Sequence, residues 1–189
     1  MIRIGIVGDI GSGKSYVAKQ FGFPIFNADF EVYKIYKKSR KCFKKLKKTF
    51  PKHIFSFPIK RKELSQAVAK DKNNVKKINK IVHPEVRLRM HKFLNKNKKK
   101  KAVVLEVPLL LEGRINKKKD ILVFVEAKKK EINKRLKKRH NFNPKIFKKL
   151  KKLQLPLETK KRKSDFIIKN NFKSLSIKKN VKILKRKIF

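Results

Sequence analysis

A run of glycines near the beginning of the chain has the residue types and the spacing of a phosphate-binding loop. The residues from Gly8 to Ser15 read G-D-I-G-S-G-K-S and match the pattern G-x-x-x-x-G-K-[ST]. Glycine allows positive φ, so successive backbone N–H groups can converge on phosphate oxygens. In such a loop Lys14 reaches the β- and γ-phosphates, and the hydroxyl of Ser15 holds Mg²⁺. The motif therefore predicts a site for a nucleoside triphosphate and Mg²⁺.

The predicted nucleotide-binding residues are the whole loop and the residue after it. They are Gly8, Asp9, Ile10, Gly11, Ser12, Gly13, Lys14, Ser15 and Tyr16. Asp9 stands where a glycine is commoner, and the pattern gives no physical reason for an acid so close to phosphates.

Other classes of P-loop protein match the chain less well than a small-molecule kinase does. A GTPase is disfavoured because no Asp-x-x-Gly occurs, and Asn116 to Asp120 has one residue too many for an Asn-Lys-x-Asp element. A motor ATPase needs an acid at the end of a buried strand, where Glu106 is the best candidate, but the chain is short for a motor. A small-molecule kinase needs a carboxylate near the γ-phosphate, a substrate domain and a basic lid, all of which this chain can supply.

Hydrophobic patterning predicts an α/β fold around this loop. Apolar runs typical of strands buried on both faces of a parallel sheet lie at residues 102–105 and 121–125. A short β-branched strand is predicted at 2–7, and further short strands at 24–27 and 166–168. Helices are predicted at 15–20, at 128–139, from an N-cap at Asn143 to about residue 153, and at 177–188. The Lys-rich stretch between the second and third strands has no strong strand. There, an amphipathic helix is predicted after Pro84, with the proline near its first turn.

The formal net charge of +45, from 58 Lys and Arg against 13 Asp and Glu, at first indicates a nucleic-acid or anionic membrane partner. However, the lysines recur along the whole chain, as expected when AT-rich codons accumulate at solvated positions. Neither a nucleic-acid nor a membrane partner is therefore expected, and no apolar run approaches the roughly 20 residues of a membrane span. Since Cys42 is the single cysteine, no intrachain disulfide is possible, and we expect a cytoplasmic protein. We also expect either a monomer or a weak homo-oligomer.

Several further motifs, in their order and spacing, resemble the dephospho-CoA kinase family. They are Asn27-Ala28-Asp29, Val82-His83-Pro84, Val107 to Glu112, Leu153 to Glu158 (which includes Gln154), and Asp165 to Asn170. The resemblance implies a three-layer αβα P-loop kinase with a parallel sheet core, a helical substrate-binding insertion and a small helical lid. The implied reaction is ATP-dependent phosphorylation of the ribose 3′-hydroxyl of dephospho-CoA, the last step of coenzyme A synthesis.

The resemblance also implies roles for single residues. Asp29 matches the second carboxylate of an Asp-x-Asp element and would accept the hydroxyl proton or orient the nucleophile, whereas Asn27 replaces the first carboxylate. The implied catalytic residues are Asp29, Lys14 and Arg135, with Arg139 as a further ATP contact on the lid. The implied substrate-binding residues are Asp29, Arg61, His83, Pro108, Leu109, Leu110 and Glu112. From the residues alone, Asp29 is also a candidate helix N-cap, His83 a helix-start histidine, and each arginine a solvated charge.

The implied domain order is a core of residues 1–29, a substrate-binding domain of 30–101, a core of 102–127, a lid of 128–163 and a core of 164–189. Two other functions stay open. One is a P-loop kinase for a nucleoside or nucleotide, and the other is a polyanion-binding protein whose loop senses nucleotide.

Overall fold

The structure, a computed structural model, describes residues 1–71, 73–138, 142 and 144–189, and only the backbone of residues 145, 146 and 149. They form two compact units. The first, here called the core unit, comprises Met1–Phe26 and Asn97–Phe189. The second, called the helical unit, comprises Asn27–Lys96. Of the residues predicted from the sequence, Arg139 and Asn143 lie outside the described part of the chain.

A five-stranded sheet organises the core unit, which confirms the predicted α/β class. Its strands are β1 (Ile2–Gly8), β2 (Ile25–Asn27), β3 (Ala102–Glu106), β4 (Ile121–Glu126) and β5 (Phe166–Lys169). The strand order is β2-β3-β1-β4-β5. The pairs β1–β3, β1–β4 and β4–β5 are parallel, with Ile4 opposite Val104 on one side and Ile121 on the other. The carboxyl ends of β1 and β3 therefore reach the same edge of the sheet.

The helices follow in chain order. They are α1 (Lys14–Gln20), α2 (Ala28–Lys38), α3 (Arg40–Thr49), α4 (Arg61–Lys70), α5 (Asn74–Lys96), α6 (Lys129–Lys137), α7 (Pro144–Lys152), α8 (Leu157–Arg162) and α9 (Ser174–Ile188). Within the described residues, none of these helices combines the length and the apolar character that crossing a membrane requires.

Both faces of the sheet are covered, which is why its strands are apolar without alternation. On one face, α1 and α9 contribute Val17 and Ile177 to a buried cluster that includes Ile4 and Ile6. On the other face, a second cluster joins Val7, Leu110, Leu111, Leu122 and Phe124, with Leu155 and Leu157 packed against it. The loop from β1 to α1 thus begins in a strand that is held from both sides.

The helical unit packs α2 to α5 around its own core, built from residues such as Ile35, Leu46 and Ile54. The prediction that a helix begins near Pro84 is wrong, because α5 begins at Asn74 and contains Pro84 in its interior. An interior proline lacks the helical N–H donor and is costly. Here Ile78 and Val82, both buried in the cluster, extend the apolar face upstream of the proline, so packing outweighs the local preference.

Candidate nucleotide site and acceptor residues

The phosphate loop joins β1 to α1 and is held in shape by its own lysine. The ammonium of Lys14 donates hydrogen bonds to the carbonyl oxygens of Asp9 at 2.7 Å and Gly8 at 3.3 Å. Gly13, the residue before α1, has φ 89°, and a Cβ there would clash with Nδ2 of the Asn170 side chain. Glycine is therefore required at this position both for the backbone conformation and for the close approach of a neighbouring side chain.

That neighbour, Asn170, is a positioning residue of the loop. It follows β5, is 4% exposed, and donates from Nδ2 to the carbonyl oxygen of Ser12 at 2.7 Å. Its Oδ1 accepts the backbone N–H of Phe172 at 2.7 Å, and its own N–H donates to the Glu126 carbonyl at 2.7 Å. The side chain and the backbone of Asn170 thus together connect the loop to the ends of β4 and β5.

Ser15 and Glu106 meet where α1 begins and β3 ends. The Ser15 hydroxyl donates to Oε1 of Glu106. The parallel pairing of β1 and β3 explains the contact, because it brings the end of β3 next to the strand that leads into the loop. A hydroxyl and a carboxylate are oxygen donors of the type that Mg²⁺ prefers beside nucleotide phosphates. The donor set present therefore fits Mg²⁺.

A buried hydroxyl in the same loop indicates that phosphate also fits. Among the described residues, the buried side-chain atoms without a hydrogen-bond partner are Arg3 Nε and Ser12 Oγ. Buried polar groups are normally paired, so an unpaired donor in a glycine loop at a helix N-terminus is consistent with a site that receives an anion.

The acid in the loop, Asp9, has defined contacts. Its Oδ1 accepts the N–H of Ile10 at 2.7 Å, and its Oδ2 lies 3.8 Å from the ammonium of Lys151 on α7. The residue is buried. The carboxylate thus stabilises the turn of the loop locally and faces a cation from a distant segment of the chain.

The helix α6 packs directly on the loop. A Cβ at Gly11 would lie 3.1 Å from side-chain atoms of Ile132 and Leu136, both buried. On the same helix, the guanidinium of Arg135 lies 4.5 Å from the ring centroid of Phe172, which directly follows the Asn170 turn. The loop, Arg135 and the residues after β5 are therefore neighbours. Tyr16 extends this arrangement, since its hydroxyl lies 2.5 Å from Oγ of Ser174 at the start of α9.

The motifs Val107 to Glu112 and Leu153 to Glu158 meet in a buried ion pair. Glu112 Oε1 accepts from Lys160 Nζ at 2.8 Å and from the N–H of Leu155 at 2.9 Å. Lys160 also donates to Gln154 at 3.0 Å and is 2% exposed. Burial raises the pKa of Glu112, but the hydrogen bonds from Lys160 and from backbone N–H groups outweigh it, so the net pKa lies below the ordinary value.

The substrate contacts predicted for Pro108, Leu109, Leu110 and Glu112 stay predictions. Leu110 is 1% exposed and belongs to the sheet core described above. Glu112 already has two partners in the ion pair.

In the helical unit, the N-cap of α2 is Asn27, so the alternative that Asp29 is the cap is wrong. Oδ1 of Asn27 accepts the N–H of Phe30 at 2.8 Å. Asn is among the best N-cap residues, which gives a physical reason for an amide at this position. Asp29 instead lies in the first helical turn with an exposed side chain, where a negative charge is favoured by the helix dipole.

The helix that carries Asp29 is tied to α5 by a charged network. Glu31 pairs with Lys34 at 2.7 Å and with Arg89 at 3.2 Å, and Arg89 also contacts Glu85 at 3.5 Å. Burial raises the pKa of Glu31, but the hydrogen bonds from Lys34 and Arg89 outweigh it and the net pKa is lowered. The network thus adds polar contacts between α2 and α5 to the apolar packing of the unit.

The two other residues of this unit that are predicted to bind the substrate lie on neighbouring helices. Arg61 is the exposed first residue of α4. His83 lies inside α5, so the alternative of a helix-start histidine is wrong. Partial desolvation, together with the charge of Arg87, lowers the pKa of His83 below its ordinary value, which favours the neutral imidazole at pH 7.

Sequence reasoning missed Asn170 and Lys151 as contacts of the loop, and it considered Glu106 only for a motor ATPase. The contact of Asn170 with Ser12 joins residues 158 positions apart in the sequence, and that of Glu106 with Ser15 joins residues 91 positions apart. For Glu106, its position at the end of a predicted buried strand was the available signal.

Comparison with known proteins agrees with this geometry. A model of the dephospho-CoA kinase family matches residues 2–175. Dephospho-CoA kinases from Wolbachia sp. subsp. Brugia malayi and Bartonella henselae are 34% and 35% identical to this chain over 170 residues, covering 87% of each chain. A crystal structure from Thermus thermophilus has a TM-score of 0.81 at 27% identity, covering 100% of this chain and 98% of the other.

Proposed function

The chain belongs to the dephospho-CoA kinase family and is a kinase, and we propose that it transfers the γ-phosphoryl group of ATP to the ribose 3′-hydroxyl of dephospho-CoA. The bond between the γ-phosphorus and the β–γ bridging oxygen breaks, and a bond from the 3′-oxygen to that phosphorus forms. The products are CoA and ADP. The observation that carries this proposal is the glycine loop whose Ser15 hydroxyl donates to Glu106 at the end of the adjacent strand.

The loop binds and orients the triphosphate. Its N–H groups and the ammonium of Lys14 face the phosphates, where preorganised donors stabilise the charge of the transition state. Lys14, whose ammonium donates to the carbonyl oxygens of Gly8 and Asp9, would donate to phosphate oxygens when the triphosphate binds. Ser15 and Glu106 would hold Mg²⁺, which neutralises phosphate charge when bound.

Asp29 receives the proton of the acceptor hydroxyl. Its position in the first turn of α2 supports this role, because Asn27 and not Asp29 caps the N-terminus of the helix. Arg61 and His83 contact the acceptor. Arg135, on the helix that packs against Gly11, stabilises charge on the transferring group, and residues 128–163 act as the lid that excludes water.

The first test is ADP release with Mg-ATP and dephospho-CoA, with adenosine as a comparison acceptor. We expect acceptor-dependent turnover that Lys14→Ala and Asp29→Asn each reduce by at least about a hundredfold, the usual scale for a lost catalytic group. Lys19→Ala is the matched control, because Lys19 is an exposed lysine on the same helix as Lys14. Turnover with adenosine but not with dephospho-CoA would contradict the proposed acceptor.

The metal role has a separate test. We expect Glu106→Gln to raise the Mg²⁺ concentration for half-maximal activity at least about tenfold, since even residues that only support the metal ligands commonly contribute on this scale. Asp71→Asn, which alters a carboxylate that accepts the N–H of Asn73 in the helical unit, is the control. An unchanged Mg²⁺ requirement in Glu106→Gln would show that this carboxylate does not hold the metal.

A further inference from the structure

The carboxylate of Asp9 places a negative charge inside the loop that is predicted to bind phosphate. Its side chain is only 10% exposed, and its Oδ1 is fixed by the N–H of Ile10. The carbonyl of the same residue holds the ammonium of Lys14 at 2.7 Å, so the carboxylate lies within the structure that must receive a triphosphate. A like charge this close, and this poorly exposed to solvent, opposes the binding of phosphate.

Lys151 supplies a compensating charge from a distant part of the chain. It lies near the end of α7, with its ammonium 3.8 Å from Oδ2 of Asp9. Phe147 lies one helical turn earlier, and its ring centroid is 5.9 Å from the same ammonium, which favours a side chain directed along this face. The lysine is 45% exposed, so replacing it removes little packing.

We propose that Lys151 is a nucleotide-positioning residue: by neutralising Asp9, it allows the loop to accept the triphosphate, and it thereby links α7 to nucleotide binding. Lys151 acts through Asp9 in this proposal. The inference rests on the proposed function only in taking ATP as the ligand. A loop with glycine in place of Asp9 would not need this lysine.

Direct binding of a fluorescent ATP analogue, with and without Mg²⁺, tests the proposal. We expect Lys151→Ala to raise the Kd about fivefold, the scale of a partly exposed ion pair, and Lys151→Arg to stay within about twofold of the original. Lys152→Ala is the matched control, because it removes the same charge from the adjacent exposed position of α7 and should change the Kd by less than about twofold.

Asp9→Asn decides whether Lys151 acts through the carboxylate. The amide oxygen can still accept the N–H of Ile10, but the negative charge is gone. We expect this variant to bind the analogue at least as tightly as the original chain, and Lys151→Ala to have no further effect in its background. If Lys151→Ala raises the Kd equally in the original chain and in the Asp9→Asn variant, the proposal is overturned, because the lysine would then act on phosphate directly. Equal effects of Lys151→Ala and Lys152→Ala would overturn it as well.

The binding assay also separates this inference from the proposed function. If dephospho-CoA is not the acceptor, turnover fails while the coupling between the two residues persists in the Kd. If Lys151 has no such role, the Kd is unchanged by Lys151→Ala while acceptor-dependent turnover by the original chain remains.

Discussion

The buried pair of Lys160 and Glu112 gives the most quantitative prediction. The two side chains are 2% and 12% exposed, and their charged atoms lie 2.8 Å apart. Lys160→Met would leave the carboxylate with a backbone donor, the Leu155 N–H, but without its cation. Breaking a buried pair in this way costs about 3–5 kcal/mol of unfolding free energy. For a chain of this size, about 2–4 °C of Tm is lost per kcal/mol, so we expect Tm to fall by about 6–20 °C.

Calorimetry or circular dichroism measures this change, with Lys161→Ala as the control. Lys161 is the next residue and pairs with Glu126 at the same 2.8 Å, but its side chain is 37% exposed. An exposed pair contributes at most about 1 kcal/mol, so its loss should shift Tm by less than about 4 °C. The double change Lys160→Met with Glu112→Leu should recover most of the loss, because apolar residues can replace a buried ion pair. Equal Tm shifts for Lys160→Met and Lys161→Ala would refute the reasoning that burial makes the pair of Lys160 and Glu112 costly to break.

The same pair predicts a pH dependence. The pKa of Glu112 is lowered in the folded chain from an ordinary value of 4.5. Its contribution to stability is therefore fully present above pH 4.5 and is lost as the pH falls through the lower, folded pKa. We expect the Tm difference between the original chain and Lys160→Met to be largest near pH 7. It should shrink as the pH falls below the ordinary pKa of 4.5. A difference that grows in acid would have the wrong sign.

Three further changes test other contacts. Asn170→Asp replaces the amide that donates to the Ser12 carbonyl with a carboxylate that cannot donate. Because a lost buried hydrogen bond costs about 1–3 kcal/mol and this one holds the phosphate loop, we expect the Kd for ATP to rise about tenfold. Burial raises the pKa of Cys42 to about 11, so a thiol reagent at pH 8 should label it only as urea unfolds the helical unit. Glu63→Gln weakens the acceptor for the Phe55 and Ser56 N–H groups and should cost about 1–3 kcal/mol in urea unfolding.

The strands of the core unit and the phosphate loop could be predicted because their signals are local. Residues 102–105 and 121–125 are apolar throughout because both faces of the sheet are covered, and the structure has β3 and β4 there. The loop is a contiguous pattern whose glycines are needed for the backbone itself, as Gly13 illustrates with its positive φ. Such features leave their signal in a contiguous run of residues, so they can be predicted without knowing which distant segments pack on them.

The supporting contacts of the loop could not be predicted, because they depend on tertiary packing. Asn170 is one polar residue after a short strand, and nothing local indicates that its amide reaches Ser12. Lys151 is one of 58 basic residues, and only the structure distinguishes it from Lys152. The helix boundary at Pro84 was misjudged for a related reason, since the local preference of proline was overruled by the packing of Ile78 and Val82.

The acidic residues are the more informative part of the charge of this chain. Lysine occurs throughout the solvated surface, so a single basic residue says little about function. The 13 acids, by contrast, occur largely where a specific donor needs an acceptor. Those in ion pairs include Glu31, Glu85, Glu112, Asp120 and Glu126. Those accepting backbone N–H groups include Glu63, Asp71 and Asp165.

This distribution changes how the nucleotide site is interpreted. With a net charge of +45, phosphate attraction is available over much of the surface, so extra lysines cannot provide specificity. The anionic groups must do so: Glu106 beside Ser15, Asp29 in the first turn of α2, and Asp9 inside the loop. Two of these have chemical roles in the proposed reaction, as a metal ligand and a proton acceptor. The third accepts the N–H of Ile10 in the turn of the loop but opposes phosphate unless a cation is placed on it, and Lys151 is the cation that lies against it.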